Sequence, residues 1–276
     1  MEISAAAVKS LREKTNLPLM QVKKALQEAA GDEERAIQIL KEQVGTVMAK
    51  RSENATEEGR IFVAVADGGK QAAMVEVQCE SAPVAGGEDF RQLGEALVKQ
   101  LLNGPGADSV DALLSQSSPS GGTLKDQFET VVNKIREKFV VARIARVDGP
   151  VGSYVHHDGK TAVLFQADGT GDTSILRDVG MHIAALKPNV VHVEQLDPSV
   201  VAAERERLKA EARGTGKPEN IIDKIVDGKL KVFYKDEAGV LVEQPFAKDD
   251  SKSVSQVLAE KGFKAKAFTL WVLGRK

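Results

Sequence analysis

The stretch RIFVAVADGGKQAAMVEVQC, residues 60–79, alternates between apolar and other side chains with a period of two residues. Such alternation is typical of a β-strand that is buried on one face. Residues 67–70, DGGK, separate the two alternating halves and have the composition of a hairpin turn. The apolar positions are Ile61, Val63 and Val65 in the first half, then Val75, Val77 and Cys79 in the second. The stretch therefore predicts a β-hairpin.

Beyond this hairpin, helical and alternating segments follow in an order typical of an α+β protein. The periodicities predict helices at 88–102 and 124–135, a strand at 139–148, a hairpin at 152–169 turning at Asp158-Gly159, a helix at 173–187 and a strand at 190–196. The order hairpin, helix, strand occurs twice. We therefore expect a core of two related halves with antiparallel sheets, at 60–139 and 140–276.

Residues 1–51 predict three short helices that form a separate N-terminal unit, followed by a polar linker at 52–59. Ser4 and Asp32 stand where helix N-caps are expected. The turn between the first two helices contains Leu17, Leu19 and Met20 beside a proline. These apolar residues either close a small core or form an exposed apolar knob for a partner.

Two further helices are predicted within residues 198–236, at 198–213 and 218–235, with Pro at or near the start of each. Because the loop between them is short, we expect a projecting antiparallel helical hairpin inserted in the second half. A last helix at 253–263 and a last strand at 266–274 complete the predicted core.

The composition excludes several classes of function. Net charge is −2 and aromatic residues make up 4% of the 276 residues, so stacking on single-stranded nucleic acid is disfavoured. The single cysteine, Cys79, cannot form an intramolecular disulfide, which fits a reducing compartment. No apolar stretch is long enough to cross a bilayer. We expect a cytoplasmic protein with no membrane partner.

No motif predicts an active site, a cofactor or a metal. RGTGKPEN, residues 213–220, lacks the first glycine and the final Ser or Thr of a phosphate-binding P-loop. The four histidines are not spaced as zinc ligands on a helix. His182 lies among apolar helix residues, where a packed histidine is the commoner interpretation and a functional one stays open. The chain is therefore predicted not to be an enzyme.

Several longer motifs resemble bacterial elongation factor Ts. They are LREKTNLPLMQVKKALQEAAGDEERAIQIL (11–40), EEGRIFVAVADGGKQAAMVEVQCES (57–81), ARIARVDGPVGSYVHHDGKTAVL (142–164), MHIAALKP (181–188) and GTGKPENIIDKIVDGKLKVF (214–233). The resemblance covers nearly the whole chain. It implies a UBA-like N-terminal module, a coiled coil at 198–236, and a guanine-nucleotide exchange factor that binds elongation factor Tu and promotes GDP release. A homodimer or a two-to-two complex with the GTPase fits the same resemblance.

The resemblance also implies which residues contact the partner. They are Arg12, Leu19, Met20, Val22 and Lys23 in the N-terminal module, and the exchange loop Ser81, Ala82, Pro83, Val84 and Ala85 with His182 beside it. The family's loop has an Asp and a Phe where this chain has Ala82 and Pro83. The loss of the charge and the aromatic ring leaves a second hypothesis open, a protein that binds the GTPase as a scaffold with weak or no exchange activity.

Overall fold

Residues 58–79 form a hairpin, as the alternation predicts. The structure is a computed structural model, and it describes residues 3–15, 17–119, 121–214, 216 and 218–275. The helices are α1 (Ala5–Thr15), α2 (Leu19–Glu28), α3 (Glu33–Lys50), α4 (Ala82–Gly86), α5 (Glu88–Asn103), α6 (Val110–Leu114), α7 (Leu124–Ile135), α8 (Ser174–Leu186), α9 (Pro198–Arg213), α10 (Glu219–Asp236) and α11 (Val254–Glu260). The strands are β1 (Glu58–Val65), β2 (Gln71–Cys79), β3 (Val140–Asp148), β4 (Val151–Val155), β5 (Thr161–Gly169), β6 (Pro245–Phe246), β7 (Asp249–Ser253) and β8 (Phe263–Val272). The mixture of helices and antiparallel sheets is the α+β class that the sequence predicts.

The first sheet has the strand order β1-β2-β3, with β2 in the centre and buried on both faces. Val75 and its neighbours on one face pack against α5 together with Phe62. Ile61 and Met74 lie on the other face, which is also largely apolar. Glu76, the residue paired with Ile61, is a charged exception on this face. The two predicted sets of apolar residues therefore lie on opposite faces of the sheet.

The second sheet has the order β4-β5-β8 and packs against the first sheet. Leu164 and Trp271 point to the sheet–sheet interface, whereas Val163 and Phe165 point away from it toward α8. The core thus consists of four layers, with helices on the two outer faces. Between the sheets, the buried Glu76 pairs with Arg143, whose guanidinium carbon lies 4.5 Å from the centroid of the Trp271 ring.

Three predicted boundaries are wrong. β3 pairs with β2, so residues 140–148 belong to the first sheet and not to the half at 140–276. β1 begins at Glu58, inside the predicted linker at 52–59. Residues 190–196 form no strand; they contain one 3-10 turn and a single bridge from Val190 to Val240. The second sheet therefore consists of β4, β5 and β8 without them.

The helices α1, α2 and α3 surround a small core of their own that includes Leu11, Leu26 and Leu40. The predicted caps are present, since the Ser4 hydroxyl accepts from the Ala7 N–H at 3.1 Å and the Asp32 carboxylate from the Arg35 N–H at 3.0 Å. The C-terminal part of α3 also contacts the main core, where Val44 is buried. This long helix therefore links the N-terminal unit to the rest of the protein.

α9 and α10 pack side by side through apolar side chains that include Leu208, Val226 and Leu230. Among the described residues, three ion pairs cross between the helices: Arg205 with Asp227 at 3.1 Å, Arg213 with Glu219 at 2.9 Å, and Lys229 with Glu211. Arg205 pairs with a residue near the middle of α10, and Arg213, at the end of α9, pairs with the first residue of α10, which is the order found in an antiparallel pair. Part of the predicted connecting turn, Thr215 and Lys217, lies outside the described residues.

Candidate partner-binding site

The turn at residues 17–20 has one buried and two exposed apolar side chains. Leu17 is 4% exposed and packs in the core of the N-terminal unit, whereas Leu19 is 49% and Met20 72% exposed. Leu17 therefore closes the small core, whereas Leu19 and Met20 form an exposed knob, whose contact with a partner stays a prediction.

The predicted contact residues around this turn divide into exposed and buried ones. Arg12 and Leu19 line the same shallow depression, and Lys23 is exposed on α2. Val22, in contrast, is 0% exposed and packs in the small core. The prediction that Val22 contacts a partner is wrong, since its side chain has no surface to offer; its place in the helical period decides its burial.

The loop at 81–85 forms the short helix α4, where the sequence suggested only a turn. Pro83 occupies its first turn, a position at which a proline costs no hydrogen bond. Ala82 and Pro83 are exposed, Val84 is half-buried, and Ala85 is buried against the first core. The loop therefore presents a small and stiff surface with no charged side chain.

Three reciprocal hydrogen bonds, which together we call the carboxylate clasp, fix the start of this loop. The carboxylate of Glu137 accepts from the Ser81 N–H at 3.1 Å and from the Ser81 hydroxyl at 2.6 Å. In return, the carboxylate of Glu80 accepts from the Lys138 N–H at 2.6 Å. The loop and the segment between α7 and β3 thus each hold the other's backbone.

Glu80 also binds the segment that follows α3. Its carboxylate accepts from the Arg51 guanidinium and from the Asn54 amide, both at 2.7 Å. Burial by itself would raise the pKa of Glu80, but the Lys138 N–H, Asn54 and Arg51 together lower it below its usual value. Glu80 is therefore ionised at neutral pH, and its bonds join three segments of the chain.

His182 lies in the second half of the core, on α8. Its Nδ1 accepts from the Ala247 N–H at 3.1 Å, and its Nε2 lies 3.0 Å from the Gln244 side-chain oxygen, so the neutral ring has its proton on Nε2. Burial lowers the pKa of His182, although the bond to Gln244 acts against this. Among the described residues, no hydrogen bond joins His182 to the loop at 81–85.

Glu80 and Glu137 were not found by sequence reasoning. Glu80 bonds to Lys138, 58 positions away along the chain, and Glu137 to Ser81, 56 positions away, and no local spacing predicts such contacts. Nucleophilic chemistry at the nearby Cys79 is also disfavoured, because burial raises the pKa of this thiol to about 12. In the described part of the chain, no group of three His, Cys, Asp or Glu side chains could hold a metal ion.

Comparison with known proteins adds to this geometry. The family model described as "Elongation factor TS" matches residues 80–275. The chain belongs to the elongation factor Ts family. Elongation factor Ts of Thiobacillus denitrificans is 40% identical over 275 residues, covering 99% of this chain and 92% of that protein.

Other elongation factor Ts proteins match equally along the chain. Those of Hyphomonas neptunium and Aquifex aeolicus are each 38% identical, and the latter alignment covers 99% of both chains. These full-length matches include the N-terminal helices and their exposed turn. As a member of the elongation factor Ts family, the protein is a translation elongation factor.

In the part of the chain that the structure describes, no helix has the length and apolar character needed to cross a membrane.

Proposed function

We propose that this protein is a guanine-nucleotide exchange factor that binds GDP-bound elongation factor Tu in the cytoplasm and promotes GDP release without making or breaking covalent bonds. The observation that supports the proposal is membership of the elongation factor Ts family over 99% of the chain. The exposed knob and the clasped loop are surfaces suited to such a protein–protein task. We further propose that the N-terminal helices are a UBA-like module.

The proposed mechanism is differential binding. An exchange factor must bind the nucleotide-free GTPase more tightly than the GDP-bound one, since only a difference in affinity can shift that equilibrium. By thermodynamic reciprocity, the GTPase binds GDP more weakly by the same factor when the exchange factor is bound. Disturbance of the magnesium and phosphate site of the partner would supply this difference.

We assign the affinity of the complex mainly to the N-terminal knob. Leu19 and Met20 expose apolar surface in the same module as the cations Arg12 and Lys23, and Met and Arg are among the residue types enriched at protein–protein interfaces. The antiparallel pair α9 and α10 is proposed as a projecting coiled coil that contacts the same partner. It exposes Val200 and Val232.

We assign the exchange step to the loop at 81–85. Ala82 and Pro83 provide neither charge nor aromatic surface, so the loop must act by its shape and fixed position. In this proposal Pro83 is a small wedge. His182, which lies in the second half of the core, supports the surface that contacts the partner together with this loop. The competing hypothesis, a scaffold that binds the GTPase without accelerating release, rests on the absence of the acidic and aromatic side chains.

The test is the rate of GDP release from the cognate elongation factor Tu, followed with a fluorescent GDP analogue. The wild type is expected to accelerate release by at least about tenfold, and Pro83→Ala to lose several-fold of this rate. Gly86→Ala is a matched control, because an added Cβ meets no atom within 4 Å there.

The Ala82→Asp/Pro83→Phe double variant separates the two hypotheses. If exchange is limited by the small wedge, this variant releases GDP faster than the wild type. Tight association of the wild type without faster GDP release would select the scaffold. Equal rates for the wild type, the double variant and Pro83→Ala would exclude the loop from the mechanism.

A further inference from the structure

A cleft separates the N-terminal helices from the end of α7. It has a cavity volume of about 570 Å³ and is lined by residues of α2, α3 and α7. Its size exceeds that of a single bound ion and suits several side chains of a partner protein. The exposed Met20 is one of its lining residues, so the cleft adjoins the knob at residues 17–20.

The lining of this cleft is strongly basic. Lys24, Lys50, Lys134 and Arg136 line it, and no carboxylate does so among the described residues. Lys134 pairs with Asp89 at 2.8 Å, and Lys24 lies 4.0 Å from Glu28. In the described part of the chain, Lys50 and Arg136 have no carboxylate within 4.0 Å. Two cations are therefore uncompensated in a concave surface, which concentrates the field that they produce.

The cleft is preformed, because polar contacts dock the N-terminal helices on α7. The buried Asn133 donates to the Leu40 carbonyl at 2.8 Å and accepts from Gln21. Lys41 pairs with Asp126 at 2.6 Å on the same interface. The walls of the cleft are thus fixed relative to each other before a partner arrives, which lowers the entropic cost of binding.

We infer that this cleft binds an acidic segment of the GTPase partner, with Lys50 and Arg136 as its main charge contacts. The inference rests on the proposed function and extends its interface from the knob into the gap between module and core. Met20, Pro18 and Val47 provide apolar surface beside the cations. Since no aromatic side chain lines the cleft among the described residues, base stacking is disfavoured, and the acidic partner is a protein segment.

The double variant Lys50→Gln/Arg136→Asn tests this inference in the full chain. Arg136 has a φ of +65°, a left-handed conformation that asparagine adopts readily, so the variant removes charge without straining the backbone. Lys70→Gln/Lys264→Gln is the matched control, because both lysines are exposed and lie outside the cleft.

The measurement is the dissociation constant for the cognate elongation factor Tu at about 50 mM and about 500 mM salt. At low salt the cleft variant is expected to bind about tenfold more weakly, with a slower association rate, and the difference shrinks at high salt. The control pair is expected to change binding by less than about twofold.

Three results would overturn the inference. An unchanged dissociation constant for the cleft variant, with GDP release intact in the wild type, refutes the cleft and leaves the proposed function standing. Loss of binding to a uridine homopolymer in the cleft variant, with GTPase binding unchanged, assigns the cleft to nucleic acid. A wild type that does not bind elongation factor Tu at all refutes the proposed function and this inference with it.

Discussion

The turn at 17–20 is anchored by an apolar side chain, whereas the loop at 81–85 is anchored by carboxylates. Leu17 is buried among three helices, and the neighbouring Leu19 and Met20 are left on the surface. At the loop, Glu137 holds the backbone of Ser81, and the exposed side chains are small. The turn therefore offers apolar area to a partner, while the loop offers a surface of defined position.

Under the proposed function, this difference predicts that the turn supplies affinity and the loop supplies the exchange step. Apolar area excluded from water stabilises a complex whichever nucleotide state the partner adopts. A stiff loop instead discriminates between states, because it fits one arrangement of the partner and clashes with another. Variants that weaken one anchor at a time should separate the two effects.

The largest effect is expected at the apolar anchor. Leu17→Ala removes a buried side chain from the small core and should lower the free energy of unfolding of the N-terminal helices by about 2–5 kcal/mol. Chemical denaturation combined with hydrogen exchange in α1–α3 measures this loss. Leu19→Ala, at the exposed neighbour, is the control and should cost less than about 0.5 kcal/mol. Equal effects of the two variants would mean that Leu17 is not the anchor.

The carboxylate anchor is expected to matter less for stability and more for the rate of exchange. Glu137→Ala leaves the Ser81 N–H and hydroxyl without their acceptor, which costs about 1–3 kcal/mol. Hydrogen exchange at the Ser81 amide should accelerate, and GDP release should slow with little change in affinity. Glu137→Gln should restore part of the rate, because an amide oxygen can still accept. Glu53→Ala, an exposed acid after α3, is the control.

Two outcomes would contradict this separation of roles between the turn and the loop. If Glu137→Ala weakens binding to elongation factor Tu as much as it slows release, the loop contributes affinity and the division fails. If hydrogen exchange at the Ser81 amide is the same in Glu137→Ala as in the wild type, the loop is held by Ala85 and its apolar neighbours instead of the clasp.

Local patterns predicted the elements of this fold, because hairpin turns, helix caps and apolar periods depend on residues close in sequence. The Asp158-Gly159 turn and the Asp32 cap are examples. The partner of a strand depends on distant residues, and so β3 was placed in the wrong half although its bounds were predicted well. The resemblance predicted a role for the loop at 81–85, whereas only the structure shows the Glu137 contact that fixes its start.

A third variant tests the exposed side of the turn. Met20→Ala should leave stability within about 0.5 kcal/mol, because the side chain is mostly in solvent. Affinity for elongation factor Tu should fall by about tenfold if Met20 is an anchor of the interface. Val65→Ala removes another exposed apolar side chain, 40% exposed against 72% for Met20, at the end of β1 and serves as control. Loss of affinity in both variants alike would argue against a specific knob.

The smallest effect concerns how the module that bears the knob is itself held. The bond from Lys41, with the Thr123 bonds, lowers the pKa of Asp126 to about 2. A carboxyl with a depressed folded-state pKa stabilises the protein above its unfolded-state pKa, and this contribution is lost as the pH falls through about 2. Because the pair is largely exposed, Lys41→Met should cost at most about 1 kcal/mol at neutral pH.

The pH dependence of that cost distinguishes charge from packing. Urea denaturation of the wild type and of Lys41→Met at decreasing pH should show a difference that is constant down to about pH 4 and disappears near pH 2, since protonated Asp126 no longer attracts Lys41. Lys125→Met, at the exposed neighbour of Asp126, should show no such trend. A difference that persists at pH 2 would mean that the Lys41 side chain docks the module by packing and not by charge. The module would then be held by apolar contact, as Leu17 holds the turn, and not by a carboxylate, as Glu137 holds the loop.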